Sequence, residues 1–446
     1  MAAPGPASLT RSLRWFAASY GIALLGYLLL SAAVSRLVGA DEFGTYLVIV
    51  TATTLIGQIG LLGVHRGGLR EAARLSEDDV AGLAELRAGV RAVTSITLPA
   101  VSVLAAVATW FLMHQRDGQS QLWLALLTGA LVYLAGEQRL CANYLRGLGH
   151  VRLAGLLEGR SGGALVAAGQ SVMVLLLLLL RPESGLVGAL AATVLGFAAP
   201  IVVARVVLSR RWAHTDAIPG RWANLRRAAR RDWRFVASQV GGFANSSIEL
   251  WLAAILLSPF ATSMFGAGQR LAHLLLIPQT SLAVVFSPTV ARMSVDDDRL
   301  PLQTLLRTGS TLTTSAAVLL WLPMMVAPSL LLVLVFGVDF SAAAAVLMLL
   351  ASGYLLNVAT GLAAVTLSMS HHEGQVAIVH WLALGLRVVL GVTGALLWGL
   401  LGLAISSMTV TIATSAMMWL QARRRVGVST HPTLRPRVRL LSQARG

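Results

Sequence analysis

The residues in this chain best placed to do chemistry are ionisable side chains embedded in long apolar runs. Glu137 and Arg139 precede a turn near 148–149, and Glu158 and Arg160 follow it. In antiparallel neighbours, equal distance from a turn means equal depth, so Glu137 levels with Arg160 and Arg139 with Glu158. Glu249 and Arg270 repeat the arrangement about a turn near 260, each roughly 10–12 Å below the nearer surface at about 1.5 Å per residue. Arg387 stands by itself in the middle of another apolar run. A charge at the centre of a bilayer costs from about 2.5 to above 10 kcal/mol, so each such group needs an opposite charge, a carbonyl or a wet cavity. Two uses follow: pairs that lock neighbouring helices, or guanidinium groups that hold an anion, for which their forked donors suit phosphate oxygens.

Other chemistries are disfavoured. His371-His372-Glu373 has no further metal ligand close in sequence, no phosphate-cradling Gly-rich Lys motif is present, and the single Cys141 rules out an intramolecular disulfide. The expectation is a protein without cofactor, metal or ATP motor, and not an enzyme. The stretches read as outer loops are a few residues long and too small for an active site.

The elements that must position these groups are membrane helices. Of 446 residues, 56% are hydrophobic and 12% charged, and mean hydropathy is +0.74, whereas a soluble domain carries about 25% charged residues. A span needs about 20 mostly apolar residues, and such runs fall near 13–35, 44–64, 90–113, 121–146, 153–180, 185–208, 235–257, 263–290, 304–335, 341–369, 374–398 and 400–422. All 35 basic residues are Arg, giving a net charge of +16. They concentrate in alternate loops, so the positive-inside rule places both termini in the cytoplasm. Only Arg36, Arg116 and Arg181 fall in the outer loops.

The segment 209–234 divides the helices six and six. Its Trp212, Trp222 and Trp233 among arginines read as an interfacial helix on anionic lipid, a setting that removes any need for nucleic acid. The expected organisation is a six-helix lobe over 1–208, this linker, a second lobe over 235–422 and a basic, disordered tail over 423–446. GADEFGTY (39–46) corresponds in position and pattern to SPFATSMF (258–265), and LRGLGHVR (145–152) to SMSHHEGQ (368–375). The repeats predict an all-α protein of two pseudo-symmetric lobes about a central cleft.

Three stretches carry a family likeness. SRLVGADEFGTYLVIVTATTLIGQIGLLGVHRGGLREAAR (35–74), IELWLAAILLSPFATSMFGAGQRLA (248–272) and LVFGVDFSAAAAVLMLLASGYLLNVATG (334–361) resemble the opening, second-half opening and ninth-to-tenth-helix connection of polysaccharide and O-antigen repeat-unit flippases. These belong to the multidrug/oligosaccharidyl-lipid/polysaccharide exporter superfamily. A Pro that often opens the seventh helix is missing around Arg234, and Ser263 stands where the first repeat has Gly44.

The resemblance implies a multi-pass inner-membrane carrier that moves an undecaprenyl-diphosphate-linked oligosaccharide from the cytoplasmic to the periplasmic leaflet by alternating access. Its partners would be membrane lipids, a polysaccharide polymerase and a chain-length regulator. On this reading Arg270, Arg387, Arg139 and Arg160 are candidates to contact the diphosphate, with Glu249 tuning Arg270 or carrying a coupling proton. Glu137 and Glu158 are the ion-pair acids. Gln58, Gln239, Asn245 and Asn357 would meet sugar hydroxyls or bond between helices, and Pro278 and Pro323 are hinge candidates. An ion-coupled small-molecule or drug antiporter of the same superfamily is the alternative. It would need a compact acidic pocket, which these Arg-matched acids do not suggest.

Overall fold

The computed structural model describes residues 6–72, 79–157, 163–212, 218–295 and 299–435, and these are helical with no strand among them. Glu158 and Arg160 lie outside the described residues, so the crossed pairs expected of them do too.

Helix α1 (Pro6–Gly60) contains two expected spans in one run, divided at Gly39 with φ 75°, a left-handed conformation that Gly adopts without steric cost. The turn expected at GADEFGTY is therefore a break one residue long. Just past it, Phe43 and Tyr46 are buried, and the Tyr46 hydroxyl lies 3.0 Å from that of Thr193. Then come α2 (Val64–Ala72), α3 (Val80–Ala92), a π turn (Val93–Thr97), α4 (Leu98–Leu112) and α5 (Gly118–Gly147). The order continues with α6 (Val151–Leu157), α7 (Gly163–Leu180), α8 (Gly185–Trp212) and α9 (Arg221–Leu256). The second half holds α10 (Pro259–Ala272), α11 (Ile277–Val295), α12 (Arg299–Val326), α13 (Pro328–Phe336), α14 (Ala344–Ala359), α15 (Ala363–Met369) and α16 (Glu373–Arg425). The last joins two expected spans across a break at Trp398 and Gly399.

Seven helices among the described residues are long and apolar enough to cross a membrane, two of them being the double-length α1 and α16. The expected spans on α5, on α9 and on α10 with α11 fall outside that apolar set, and these carry Glu137, Arg139, Glu249 and Arg270. Large apolar side chains such as Phe111, Leu179, Leu319 and Leu396 are exposed, while Gln58, Glu137, Asn143, Gln170 and Glu249 are buried. That inversion of a soluble protein's pattern fits a lipid solvent, in which polar groups must be satisfied internally. The chain is a multi-pass membrane protein.

The helices form two compact units, residues 22–243 and residues 244–435 with 6–21. In the first, α5 packs on α4, α8 and α2; in the second, α14 packs on α12, α16 and α10. The fourth helix of each half thus meets the third and the sixth. The repeated turns match in detail. His150 N–H donates to the Leu145 carbonyl and His372 N–H to that of Leu367, around Gly149 (φ 86°) and His371 (φ 59°) respectively. Each is the six-to-one closure of a helix end with a left-handed residue. His372 Nδ1 bonds the Ser370 carbonyl oxygen at 2.6 Å.

Two expectations need correction. The tail is not wholly disordered: Val428 and Thr430 are buried, Ser429 N–H donates to Gln303 Oε1, and Arg307 Nη2 donates to the Pro432 carbonyl. Val428 joins a core with Phe286, Val290 and Leu306, so an apolar side chain within the basic run carries the chain inward. The linker does not end at a separate interfacial helix; α9 runs unbroken from Arg221 to Leu256. Its first turns bury Leu225, Ala228 and Asp232 and expose Trp222, Arg226, Arg230 and Trp233, a one-sided stripe of the kind that rests at a membrane interface. Pro278 opens α11 after a 3-10 turn at His273–Leu276, where no helical hydrogen bond is lost. Pro323 lies inside α12.

Candidate functional site

The chain leaves α1 through Leu62 (φ 48°) and Gly63 (φ 79°). A left-handed leucine is costly by about 1 kcal/mol or more and persists only where its surroundings impose it. A methyl group at Gly63 would lie 2.3 Å from the Asp232 carbonyl oxygen, and one at Gly67 would lie 2.0 Å from Asp232 Oδ1. Gly63 and Gly67 thereby let the start of α2 sit directly on α9, beside buried His65.

His65 is buried, and its Nε2 lies 2.8 Å from Gln239 Oε1 on α9. Its Nδ1 and Gln239 Nε2 have no hydrogen-bond partner among the described residues. Burial, reinforced by Arg139 and Arg66, pushes the imidazole down to about 3, against the Gln239 bond. His65 is therefore neutral at physiological pH. Arg66 also acts electrostatically on Arg139 and on Arg146, in the last turn of α5. Arg66 is exposed, whereas Arg139 and Arg146 are half-buried. Arg66 and Arg139 thus act on a neutral histidine bonded to an amide, with Arg146 acting on Arg66, so positive charge gathers at this end of α2 and α5.

The acids are arranged oppositely. Three carboxylates are buried among the described residues, Glu137, Asp232 and Glu249, and each is taken by an arginine. Arg231 grips Asp232 through two hydrogen bonds, 3.0 and 2.9 Å. Glu137 Oε1 accepts from Arg205 Nε at 2.8 Å, and Tyr133 Oη lies 3.4 Å from Arg205 Nη2. The expected partner of Glu137 was Arg160. Arg160 lies outside the described residues; the described partner comes from α8, because α5 packs broadly against α8 and that helix extends to Trp212, holding Arg205 two turns inside its end. Glu249 likewise pairs with Arg387 on α16, not with Arg270, and Arg387 Nη2 donates to Thr411 Oγ1 at 3.0 Å. Arg387 is thus a member of a buried pair rather than a lone cation.

Among the remaining candidates, Asn245 Nδ2 lies 3.3 Å from His380 Nδ1. Gln58 is buried with its amide nitrogen unbonded among the described residues, and Asn357 is half-buried. Arg270 closes α10, half-buried. The structure therefore brings Arg139 and Gln239 together around His65, and Glu249 together with Arg387; Gln58 and Asn357 join neither group. His65, Arg66 and Arg146 are the residues that sequence reasoning missed. The glycines at 63 and 67, spaced one helical turn apart beside a histidine, were the available signal, since small residues at that spacing mark close helix approach.

No family model matches the chain, and no curated protein matches it. Solved structures do. An inward-facing multidrug resistance MATE family transporter of the MOP superfamily aligns over 90% of this chain and 94% of its own, at 15% identity and a TM-score of 0.69. An outward-facing conformation of such a transporter gives 95% and 96%, 17% identity and 0.60. A MATE complex gives 93% and 96%, 15% identity and 0.64. The fold is that of a MATE-type transporter. At these identities the likeness shows the fold alone. These MATE-fold neighbours are transporters, and no catalytic family is indicated.

Proposed function

We propose that this chain is an alternating-access carrier for a phosphate-bearing amphiphile, an undecaprenyl-diphosphate-linked oligosaccharide, moved from the cytoplasmic to the periplasmic leaflet of the inner membrane. One observation carries the reading. Each buried carboxylate among the described residues is engaged by arginine, while Arg66 and Arg139 act on neutral His65, and Arg146 on Arg66. The local field about His65 is positive. A cation or cationic drug would need the reverse, a carboxylate without a resident guanidinium. The family likeness of 35–74, 248–272 and 334–361 supports the same cargo, and an inside-negative potential favours outward movement of an anion by about 2.3 kcal/mol per charge per 100 mV.

The second reading, an ion-coupled multidrug antiporter, draws on the named activity of the structural neighbours. Reconstitution in proteoliposomes separates the two. A polyprenyl-diphosphate oligosaccharide should become accessible on the far leaflet. Arg139→Ala and Arg146→Ala should each slow this by about 10- to 100-fold, the worth of a charge-assisted hydrogen bond of roughly 1.5–3 kcal/mol. Proton- or sodium-driven extrusion of cationic dyes with no movement of the lipid-linked sugar would sink the proposal.

A further inference from the structure

In the second unit the chain turns back on itself after its last helix. α16 closes at Arg425, Gly427 takes φ 77°, and the segment that follows lies beside the helix it has just left, where Trp419 Nε1 donates to His431 Nδ1 at 3.2 Å. It also follows α12. Ser429 N–H donates to Gln303 Oε1 at 3.0 Å, Arg307 Nη2 donates to the Pro432 carbonyl at 3.4 Å, and Thr433 N–H donates to Thr311 Oγ1 at 2.9 Å. Gln303, Arg307 and Thr311 stand one turn apart on one face of α12, a climb of about 12 Å at about 1.5 Å per residue. Ser429 to Thr433 covers about 13 Å when extended at about 3.3 Å per residue. The segment is therefore an extended chain leading from the start of α12 toward the middle of a helix long and apolar enough to cross a membrane. Irregular backbone is tolerated in that setting where protein buries it and meets its polar groups, and Val428 and Thr430 are both buried.

Its inner contact is the break between α14 and α15. α14 stops at Ala359, α15 starts at Ala363, and Gly361 between them has φ 73°. The break frees carbonyls that a continuous helix would use. Thr430 Oγ1 donates to the Thr360 carbonyl at 2.5 Å, and Gln279 Nε2 of α11 donates to that of Gly361 at 2.8 Å. The fit is close: a methyl group at Gly361 would lie 2.1 Å from the Thr430 carbonyl oxygen, and Leu362 shares a core with Val428 and Phe286. Tail and break complete one another. The tail supplies the donor that an interior carbonyl needs, and the glycine supplies the space that the tail needs.

We infer that residues 426–433 are a latch on this break, and that seating or release of the tail sets how freely α14 and α15 bend about Gly361. Hinges are a few residues at element ends that absorb a change in φ and ψ, and Gly361 holds such a position. α11 secures one freed carbonyl from within the bundle. The tail secures the other from near a chain end, through side-chain hydrogen bonds and the buried Val428 rather than a regular ladder, and Leu434 just beyond is exposed. The tail is the side of the contact able to let go. This latch does not depend on the cargo proposed above.

The test is hydrogen–deuterium exchange of the full chain in phosphatidylcholine nanodiscs, read by peptide mass spectrometry. In the wild type, 426–433 should be protected to about the level of α15. Thr430→Val keeps the shape and removes the donor, and should speed exchange of 359–366 by about tenfold, the worth of a buried hydrogen bond left half-made. Thr430→Ser, which keeps the hydroxyl, should stay near the wild type, and Leu434→Ala should change neither segment. Peptides from 22–243 should be unaffected, which separates unlatching from general loosening. If Thr430→Val folds poorly, Gln303→Leu, at a half-buried position, withdraws the acceptor of the Ser429 N–H and reads the same coupling from the other end: exchange should rise in 426–433 and, through the latch, in 359–366. Unprotected 426–433 in the wild type, unchanged 359–366 in either variant, equal acceleration by Thr430→Ser, or acceleration shared by 22–243 overturns the latch.

Discussion

Neutralising Glu249 should damage the protein far more than neutralising Glu137, although both carboxylates are buried and paired with arginine. The difference lies in the partners. In the Glu249–Arg387 pair the side chains are 4% and 11% exposed, whereas in the Glu137–Arg205 pair the arginine is 54% exposed. Glu249→Gln leaves Arg387 charged and enclosed, with the Thr411 hydroxyl as its remaining acceptor among the described residues. Breaking a buried pair from one side costs about 3–5 kcal/mol. Glu137→Gln lets Arg205 turn outward, and the loss is that of an exposed pair, about 0–1 kcal/mol. Thermal unfolding of detergent-purified variants would measure both, with Glu249→Gln/Arg387→Gln as the control that removes the stranded charge. Glu249→Gln should unfold at the lowest temperature and the double variant should recover part of the deficit. Equal shifts for the two acids, or a double variant worse than Glu249→Gln, would refute the reasoning.

Acidification should loosen the first unit through His65. Its folded-state value, about 3, lies below the ordinary 6.5, so the stabilisation is full above about pH 6.5 and is lost as pH falls toward 3. At about 1.4 kcal/mol per pH unit, the wild type should lose about 2–3 kcal/mol by about pH 4.5 that His65→Gln does not; parallel pH profiles of unfolding would contradict this. Gly63→Ala, forcing a methyl group to 2.3 Å from the Asp232 carbonyl at a left-handed φ, should destabilise by about 2 kcal/mol or more and lower the yield of folded protein. Val428→Ala should cost about 1–3 kcal/mol in melting experiments, and no measurable change would show that the tail's packing is dispensable.

What could be read from the sequence was local. The breaks at Gly39 and Gly337 and the start at Ser258-Pro259 follow from residues that act where they stand. Gly337 takes φ 120°, and Phe336 and Phe340 around it pack with ring centroids 5.6 Å apart. The stretches that carry the family likeness are therefore corners of the fold. The ion pairs were not legible, because depth matching about a turn compares only helices adjacent in sequence. Glu137 reaches α8 and Glu249 reaches α16, 138 residues away. His65 was hidden for another reason: its role comes from backbone proximity at Gly63 and Gly67, which no side-chain pattern announces.

The distribution of charge then bears on mechanism. The Glu137–Arg205 pair joins the fourth and sixth helices of its half, whereas Glu249–Arg387 joins the first and fifth of the other, so the two are not copies made by the internal repeat. Each contributes helix register with no net charge. Register alone could be supplied by apolar packing at equal or lower cost, and paired acids leave neither a free carboxylate for a cation nor a field to attract one. Arg66 repels Arg139, and both act with burial to hold His65 neutral. An anion docking there would relieve that repulsion at once, and would draw the His65 value upward as it did so. Proton uptake by the protein on binding a diphosphate, absent in His65→Gln, is therefore the result expected if the proposed anionic cargo docks beside His65.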